Sequence, residues 1–438
     1  MKAAFLELAD RLCAELGADE ALLLELAAER SDFVRFNHAR VRQAGSVEQR
    51  FLSVRLVRAR RQATAGITLA GNGGDLAHAR ATLARLRDAV ALLPEDPWLL
   101  VNEQPESTDA AHRGRLAPGE DVVRQVVGAA RGRDLVGIYA GGTIYRGLAS
   151  SYGQRNWHEV DCFNLDWSLY LRGDKAVKTG YAGFDWDAAA LEAKVEGAAA
   201  ELALLALPPR TIAPGEYRAY LAPRALEELM GLLCWGGFSA RARATRQCPL
   251  MRMEHGETLS PKVTLIENTA DGVGPRFQHD GFVKPPQVTL VAEGRLGEPL
   301  VSPRSAREYD LPTNAAGAHE SPEALDMSPG DLAPGEALRA LDTGLAIGNL
   351  WYLNYSDRAA GRITGMTRFA TFWVESGRIV APVEPMRFDD SVYRMLGRNL
   401  VDLTERRELL LDAGTYGERS TGSMRLPGAL LGALRLTL

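Results

Sequence analysis

The sequence has few cysteines and no long apolar run. Its four cysteines are scattered along 438 residues and include no C-x-x-C pair: Cys13, Cys162, Cys234 and Cys248. This arrangement predicts reduced thiols in a cytoplasmic protein rather than disulfides. No apolar stretch approaches the ~20 residues that a membrane-spanning helix requires. The first residues carry acids at Glu7 and Asp10, and they predict an amphipathic helix rather than a signal peptide.

Several common catalytic motifs are also missing. The sequence has no G-x-S-x-G elbow, no P-loop lysine motif and no G-x-G-x-x-G after a strand, so nothing indicates a serine hydrolase of that type, a P-loop enzyme or a dinucleotide-binding enzyme. The net charge of −5 gives no general attraction to nucleic acid or to an anionic membrane. Arginines between Arg35 and Arg61 alternate with apolar residues, which favours a solvated strand face. We expect neither nucleic acid nor membrane as a partner.

The length and composition indicate a globular protein with more than one domain. At ~150 residues per domain the chain has room for two or three, and 24% charged with 46% hydrophobic residues is ordinary for this class. The proline-rich segment LPPRTIAPGEY, residues 207–217, is the predicted boundary. We therefore expect an N-terminal domain at 1–210 and a C-terminal domain at 215–438.

The N-terminal half predicts both helices and strands. Helical spacing of apolar residues predicts helices at 2–16, 75–93 and 120–130, and a fourth that Asp187 caps and that runs to Leu207. Residues 21–30 fit either a helix or a strand. Alternation predicts a meander over 32–65 and successive strands with glycine turns over 135–186: LVGIYAG, GTIYRGLASSYG and VDCFNLDWSLYLRGDKAVKTGYAG. In the last of these, Asp166 lies on the polar face of a half-buried strand.

The C-terminal half predicts mostly strands. Runs at 350–355, 368–374 and 378–383 suit strands, the last two joined by a hairpin turn at Ser376-Gly377. Residues 369–374 are apolar on both faces, which indicates a strand covered on both sides. A backbone bend is expected at 363–368, a helix at 224–236, loop at 281–338 and a helix at 391–412. The fold class is α+β, a mixed N-terminal α/β domain plus a C-terminal domain dominated by antiparallel β-strands.

Three stretches carry a resemblance to a known family. TGMTRFATFWVESGRIVAPVEPMRF with NLWYLNY before it, SYGQRNWHEVDCFNLDWSLY, and GSMRLPGALL near the end resemble the TldD/PmbA family. That family pairs a zinc-peptidase subunit, TldD, with a related subunit, TldE or PmbA, in maturing or degrading peptides. The resemblance spans most of the chain and is closer to the TldE/PmbA type.

The resemblance also implies where a metal site should lie. TldD-like chains carry H-E-x-x-x-H on a helix near the start of the C-terminal domain, because helical spacing brings two imidazoles and a carboxylate together. The matching positions here are Glu227, Glu228 and Leu232. Leucine cannot bind zinc, and no cysteine lies beyond Cys248 to match the further TldD ligand. We expect no metal and no cofactor in this chain, with zinc in a TldD-like partner.

Four other histidines are candidate metal ligands. His158 and Cys162 have the letters of H-E-x-x-C, but four residues of strand span about 13 Å, too far for one shared ion. A histidine on the polar face is the simpler interpretation. His255, His279 and His319 fall in predicted loops, and the sequence leaves open whether they converge in space.

The favoured function is that of a non-catalytic TldE/PmbA-like subunit, completing the peptide channel of a zinc-bearing partner. The following residues are predicted to face the peptide or the partner: Asn349, Trp351, Tyr352, Thr364, Thr367, Arg368, Phe372 and Trp373. Phe372 and Trp373 fit core and interface equally well, whereas core is favoured for Trp351. Two alternatives remain: a homodimeric peptidase with a relocated metal or none, and a protein-binding regulator resembling the gyrase modulators to which the family was linked.

Overall fold

The part of the chain that the structure describes forms two β-sheets, one of seven strands and one of eleven, with helices packed against them. The computed structural model describes residues 1–333 and 335–437. Pro334, in the predicted loop 281–338, and Leu438, at the end of the predicted second domain, lie outside the described residues. The predicted α+β class is confirmed, with a mixed N-terminal half and a C-terminal half dominated by antiparallel strands.

The first sheet is built from the N-terminal half. Its strands are β1 (Glu20–Asn37), β2 (Arg40–Arg58), β3 (Arg61–Thr68), β4 (Asp109–His112), β5 (Asp134–Ser150), β6 (Arg155–Arg172) and β7 (Lys175–Gly183). The order is β3-β2-β1-β5-β6-β4, with β7 also on β6, and only β4 runs parallel to its neighbour. The accompanying helices are α1 (Lys2–Cys13), α2 (Asp75–Val90), α3 (Gly119–Ala129) and α4 (Ala188–Leu205). The segment 21–30, which fitted either class, is strand because it pairs with β2 over its whole length and with β5 from Leu23 onward.

The second sheet contains a closed ring of strands. Its strands are β8 (Gly215–Leu221), β9 (Leu265–Glu267), β10 (Val288–Ala292), β11 (Arg295–Leu296), β12 (Ala324–Met327), β13 (Gly344–Asp357), β14 (Arg362–Glu375), β15 (Arg378–Pro382), β16 (Arg387–Ser391), β17 (Leu400–Leu411) and β18 (Ser423–Leu436). The helices are α5 (Pro223–Cys234), α6 (Ala240–Ala244), α7 (Met251–Glu254), α8 (Pro303–Tyr309) and α9 (Ala337–Leu341). Strand β8 pairs with both β13 and β18, which closes the run β18-β16-β14-β13-β8.

Strand β14 lies where the two sheets meet. Ala370, Phe372 and Val374 pack into the hydrophobic core of the first sheet, with α3 and α4. Trp373, on the opposite face, packs into the core of the second sheet. The prediction of a strand covered on both faces is therefore confirmed, and the cover comes from the two halves of one chain.

Two turn predictions based on glycine were wrong. The segment predicted as two strands around Gly141-Gly142 is the single strand β5. Gly142 has φ +145°, and a Cβ there would lie 2.1 Å from the Arg30 carbonyl oxygen, so this glycine permits the close approach of β1. The predicted bend at 363–368 is continuous strand within β14. Gly365 instead leaves room for the ring of Phe388, which would lie 2.8 Å from a Cβ.

The helix predicted over 391–412 was also wrong. That segment contains one π-helical turn at Arg394–Arg398, and then strand β17, which pairs antiparallel with β18. Its sequence LVDLTERRELLL suits a helix locally, but long-range pairing with β18 decides the structure. The pairing buries Leu403, Leu410 and Leu411.

All four cysteines are free thiols, three of them buried. Among the helices described, none combines the length and apolar character needed to cross a membrane.

Candidate functional site

Helix α5 presents two different faces. Pro223 begins it, a position where proline's missing N–H costs nothing. Leu226, Leu229, Met230 and Leu233 are fully buried in the core of the second sheet, at the i, i+3, i+4, i+7 spacing of an amphipathic helix. The opposite face carries the polar residues of the helix and borders a cleft.

This cleft lies between the two sheets and has a volume of about 580 Å³. Its walls come from β6 and β7 of the first sheet, from α5 and β13, and from the chain that joins β17 to β18. The lining residues are Asp166, Lys178, Arg224, Glu227, Glu228, Gly231, Leu232, Cys234, Ser321, Pro322, Asn349, Leu353, 410–413 and 422–424. Both halves of the chain are thus required to form it.

The segment between β17 and β18 is fastened to the first sheet through Arg419. This buried side chain donates hydrogen bonds from Nη2 to the Cys162 carbonyl oxygen at 2.8 Å and from Nη1 to the Gly142 carbonyl oxygen at 3.2 Å. Because residues 412, 413 and 422 line the cleft, the Arg419 contacts hold one of its walls in place.

The charges in the cleft are partly paired. Arg224 Nη1 lies 3.2 Å from Glu227 Oε2 and 4.0 Å from Asp166 Oδ1, and Lys178 Nζ lies 3.7 Å from Asp166 Oδ2. Burial raises the pKa of the Glu227 carboxyl, against the opposing effect of the Arg224 guanidinium. Burial also raises the pKa of Glu228, which Lys178 opposes. Both carboxyls therefore hold a proton more readily than exposed glutamates do.

The positions matching a zinc motif lie together on this wall, but they do not suit zinc. Glu227 and Glu228 offer carboxylates, whereas Leu232 offers only a hydrocarbon side chain, and its carbonyl oxygen accepts a hydrogen bond from the Tyr355 hydroxyl at 3.0 Å. Cys234 lies nearby, yet burial raises the pKa of its thiol far above the usual range, so it stays protonated. Within residues 1–333 and 335–437, no three His, Cys, Asp or Glu side chains are arranged to hold a metal ion.

His158 lies away from this cleft. It was predicted on the polar face of its strand, and it is buried there. Its Nε2 donates to the Val273 carbonyl oxygen at 2.9 Å, and burial lowers its pKa to about 4. His255 and His319 are exposed, and His279 pairs with Asp280 at 3.3 Å. These histidines are accounted for individually by solvent or by neighbouring groups.

The residues predicted to face a peptide or partner fall into three groups. Asn349 lines the cleft. Trp351 and Tyr352 are exposed by 45% and 77%, so the core position favoured for Trp351 was wrong. The Arg368 guanidinium lies 4.4 Å from the Trp351 ring centroid. We call Trp351, Tyr352 and Arg368 the hairpin patch. It is separate from the interior positions of the same hairpin.

Four other residues of that set have contacts within the chain. Thr364 Oγ1 donates to the Phe388 carbonyl oxygen at 3.2 Å, and buried Thr367 accepts from the Met386 N–H at 3.0 Å. Phe372 and Trp373 are buried in the two cores, with exposures of 3% and 8%. For these two the structure favours the core.

Three charged residues of the site, Asp166, Lys178 and Arg224, were not predicted from the sequence. Alternation had placed Asp166 on the polar face of its strand, but no pattern in the sequence showed that this face points toward α5. Only the packing of the two sheets brings these charges together.

A family model described as the PmbA/TldA metallopeptidase C-terminal domain matches residues 214–437. A search of curated proteins finds no match.

Solved structures match over the whole chain. A Thermotoga maritima protein, named as a candidate modulator of a DNA gyrase, has a TM-score of 0.81 at 15% identity, covering 99% of this chain and 100% of that one. TldE from Thermococcus kodakarensis has a TM-score of 0.79 at 13% identity, with 99% and 100% covered. A second candidate modulator of DNA gyrase, from Bacteroides thetaiotaomicron, has a TM-score of 0.78 at 14% identity, covering 99% of this chain and 98% of that one. At these identities the likeness is one of fold.

Proposed function

Because this chain belongs to the TldD/PmbA family, we propose that it is a TldE/PmbA-like, non-catalytic subunit of a peptide-cleaving metallopeptidase complex. It binds no zinc at helix α5 and completes the substrate channel of a TldD-like partner that carries the metal. The four free thiols suit an assembly in the reducing cytoplasm.

The proposal rests on the side chains of α5 that line the cleft. A catalytic zinc site needs three protein ligands, most often imidazoles and a carboxylate, with one position open for water. Here the corresponding positions are two glutamates and Leu232, and no histidine is among the described residues that line the cleft. This donor set does not fit zinc, so no step of peptide cleavage is assigned to this chain.

What the chain offers instead is a cleft and an exposed surface. The cleft has the volume of a small-molecule or peptide pocket. The hairpin patch exposes Trp351 and Tyr352 beside Arg368, and exposed aromatic and arginine side chains are enriched at protein interfaces. We assign the patch to the contact with the zinc subunit.

The experiment is to purify the chain alone, a TldD-like chain alone, and the two expressed together. Metal analysis and peptide cleavage are measured for each. We expect zinc only where the TldD-like chain is present, and the highest cleavage in the mixed complex. Stoichiometric zinc in this chain alone, or cleavage by it alone, would overturn the proposal and favour the homodimeric peptidase.

A further inference from the structure

A second cavity adjoins the cleft along helix α5. It has a volume of about 770 Å³ and shares Gly231, Cys234 and Ser321 with the first. The two cavities therefore adjoin along the C-terminal half of α5, and we call them together the groove. Each alone has the size of a ligand pocket, so the groove has room for a short peptide.

The two ends of this groove have opposite charge. The first cavity is lined by Asp166, Glu227, Glu228 and Asp412 against two cations, Arg224 and Lys178. The second is lined by Arg241, Arg358 and His319, and no carboxylate is among its described lining residues. The first cavity is thus acidic on balance and the second is basic.

The cations of the second cavity are available to a ligand. Within the described chain neither Arg241 nor Arg358 forms an ion pair. Arg358 is held in place, since its Nε donates to the Gln247 carbonyl oxygen at 2.7 Å, its Nη2 donates to the Trp235 carbonyl oxygen, and its guanidinium lies 4.6 Å from the Trp235 ring centroid. Its Nη1 has no hydrogen-bond partner among the described residues and is left for a ligand. The nearby carboxylate of Glu320 is already engaged by Ser239, by both donors of Ser302 and by the Arg241 N–H.

An independent observation points to a ligand in the acidic cavity. Asn349 lines it and is 6% exposed, and its buried Oδ1 has no hydrogen-bond partner. The Nε atom of Arg224, in the same cavity, is also buried and unpaired. Buried polar groups are rarely left without partners unless a ligand or water supplies them.

We propose that this groove binds a short peptide with both termini free, its ammonium group beside Glu228 in the acidic cavity and its carboxylate beside Arg241 and Arg358. Asn349 bonds the peptide backbone between them. The inference rests on the proposed function, because it names the substrate class and the chain direction for the same cleft. It concerns this chain's own residues and needs neither zinc nor a partner.

The test uses the purified full chain and calorimetry with an alanine-rich pentapeptide in four forms: free, N-acetylated, C-amidated and doubly blocked. We expect each block to weaken Kd about tenfold, because each removes one charge-assisted contact. Glu228→Gln should weaken binding of the free peptide about tenfold and leave the N-acetylated form unchanged. Arg241→Gln should weaken binding of the free peptide about tenfold and leave binding of the C-amidated form unchanged.

Two matched controls keep the test specific. Glu405→Gln and Arg406→Gln change exposed residues of the same types that line neither cavity, and they should leave all four affinities unchanged. The inference would be overturned if the peptide did not bind, or if its affinity did not depend on the terminal groups. It would also be overturned if Glu228→Gln removed the effect of C-amidation and Arg241→Gln removed the effect of N-acetylation. These outcomes are separate from metal analysis, so the groove can fail while the non-catalytic role stands.

Discussion

Each of the two sheets buries titratable side chains, and two of these, His158 in the first sheet and Glu267 in the second, respond to pH in opposite ways. In the first sheet, burial lowers the pKa of His158 on β6 to about 4. In the second, burial raises the pKa of Glu267 on β9 to about 7, although its carboxylate accepts backbone N–H bonds from Glu323 and Ala324. Both sites favour the neutral form, because a low-dielectric interior penalises charge of either sign.

The two halves also depend on each other, although each sheet has a core of its own. β14 belongs to the second sheet yet fills the core of the first, and the cleft takes walls from both. The contact between the sheets is therefore the first place to test.

The largest effect is expected from Phe372→Ala. The side chain is buried where β14 meets the first sheet, so its removal leaves a cavity and should lower the free energy of unfolding by about 3–5 kcal/mol. Chemical denaturation measures this. The control is Tyr352→Ala on the same hairpin, which is 77% exposed and should change stability by less than about 0.5 kcal/mol while weakening assembly with the TldD-like partner. If Phe372→Ala and Tyr352→Ala lowered stability equally, the assignment of Phe372 to the core and of Tyr352 to the hairpin patch would be contradicted.

The next effect is the pH dependence of stability. The folded pKa of Glu267 is raised from 4.5 to about 7, so its contribution is complete below pH 4.5 and is lost as the pH rises toward 7. The folded pKa of His158 is lowered from 6.5 to about 4, so its contribution is complete above pH 6.5 and is lost as the pH falls toward 4. Each of these pKa shifts corresponds to a change of about 3 kcal/mol in the free energy of unfolding.

Urea midpoints measured between pH 4 and 8 test both signs. Glu267→Gln should remove the loss of stability as the pH rises from 4.5 toward 7 and leave the loss caused by His158 unchanged. His158→Gln should remove the loss of stability as the pH falls from 6.5 toward 4 and leave the loss caused by Glu267 unchanged. If either variant removed both pH-dependent losses of stability, the two groups would not titrate independently. Lys284 is near both, and its charge favours neutral His158 and ionised Glu267.

The smallest effect is expected from Asn349→Leu. Replacing a buried amide that has an unpaired oxygen by an apolar group of similar size should raise the free energy of unfolding by about 1 kcal/mol. The same change should weaken binding of the free and blocked peptides alike, since Asn349 is assigned to the backbone. A variant that lost stability would indicate that the amide already has a partner.

Much of the hairpin at β13–β15 could be predicted, because its aromatic and β-branched residues and its turn at Ser376-Gly377 act locally. The helix predicted at 391–412 failed because β17 owes its structure to a partner strand far along the chain. The two exposed residues of the hairpin patch could not be separated from buried Phe372 and Trp373 for a similar reason. Strand alternation gives two faces but does not say what covers each.

The sequence by itself determined the family, the α+β class and the absence of an imidazole at Leu232, because residue identity and short-range spacing are written in the chain. The tertiary structure alone decided that Asp166 and Lys178 face helix α5, that Asn349 is buried with an unpaired oxygen, and that the acidic and basic cavities adjoin. These features depend on how two sheets pack across hundreds of residues, and packing at that range leaves no periodic signal in the sequence.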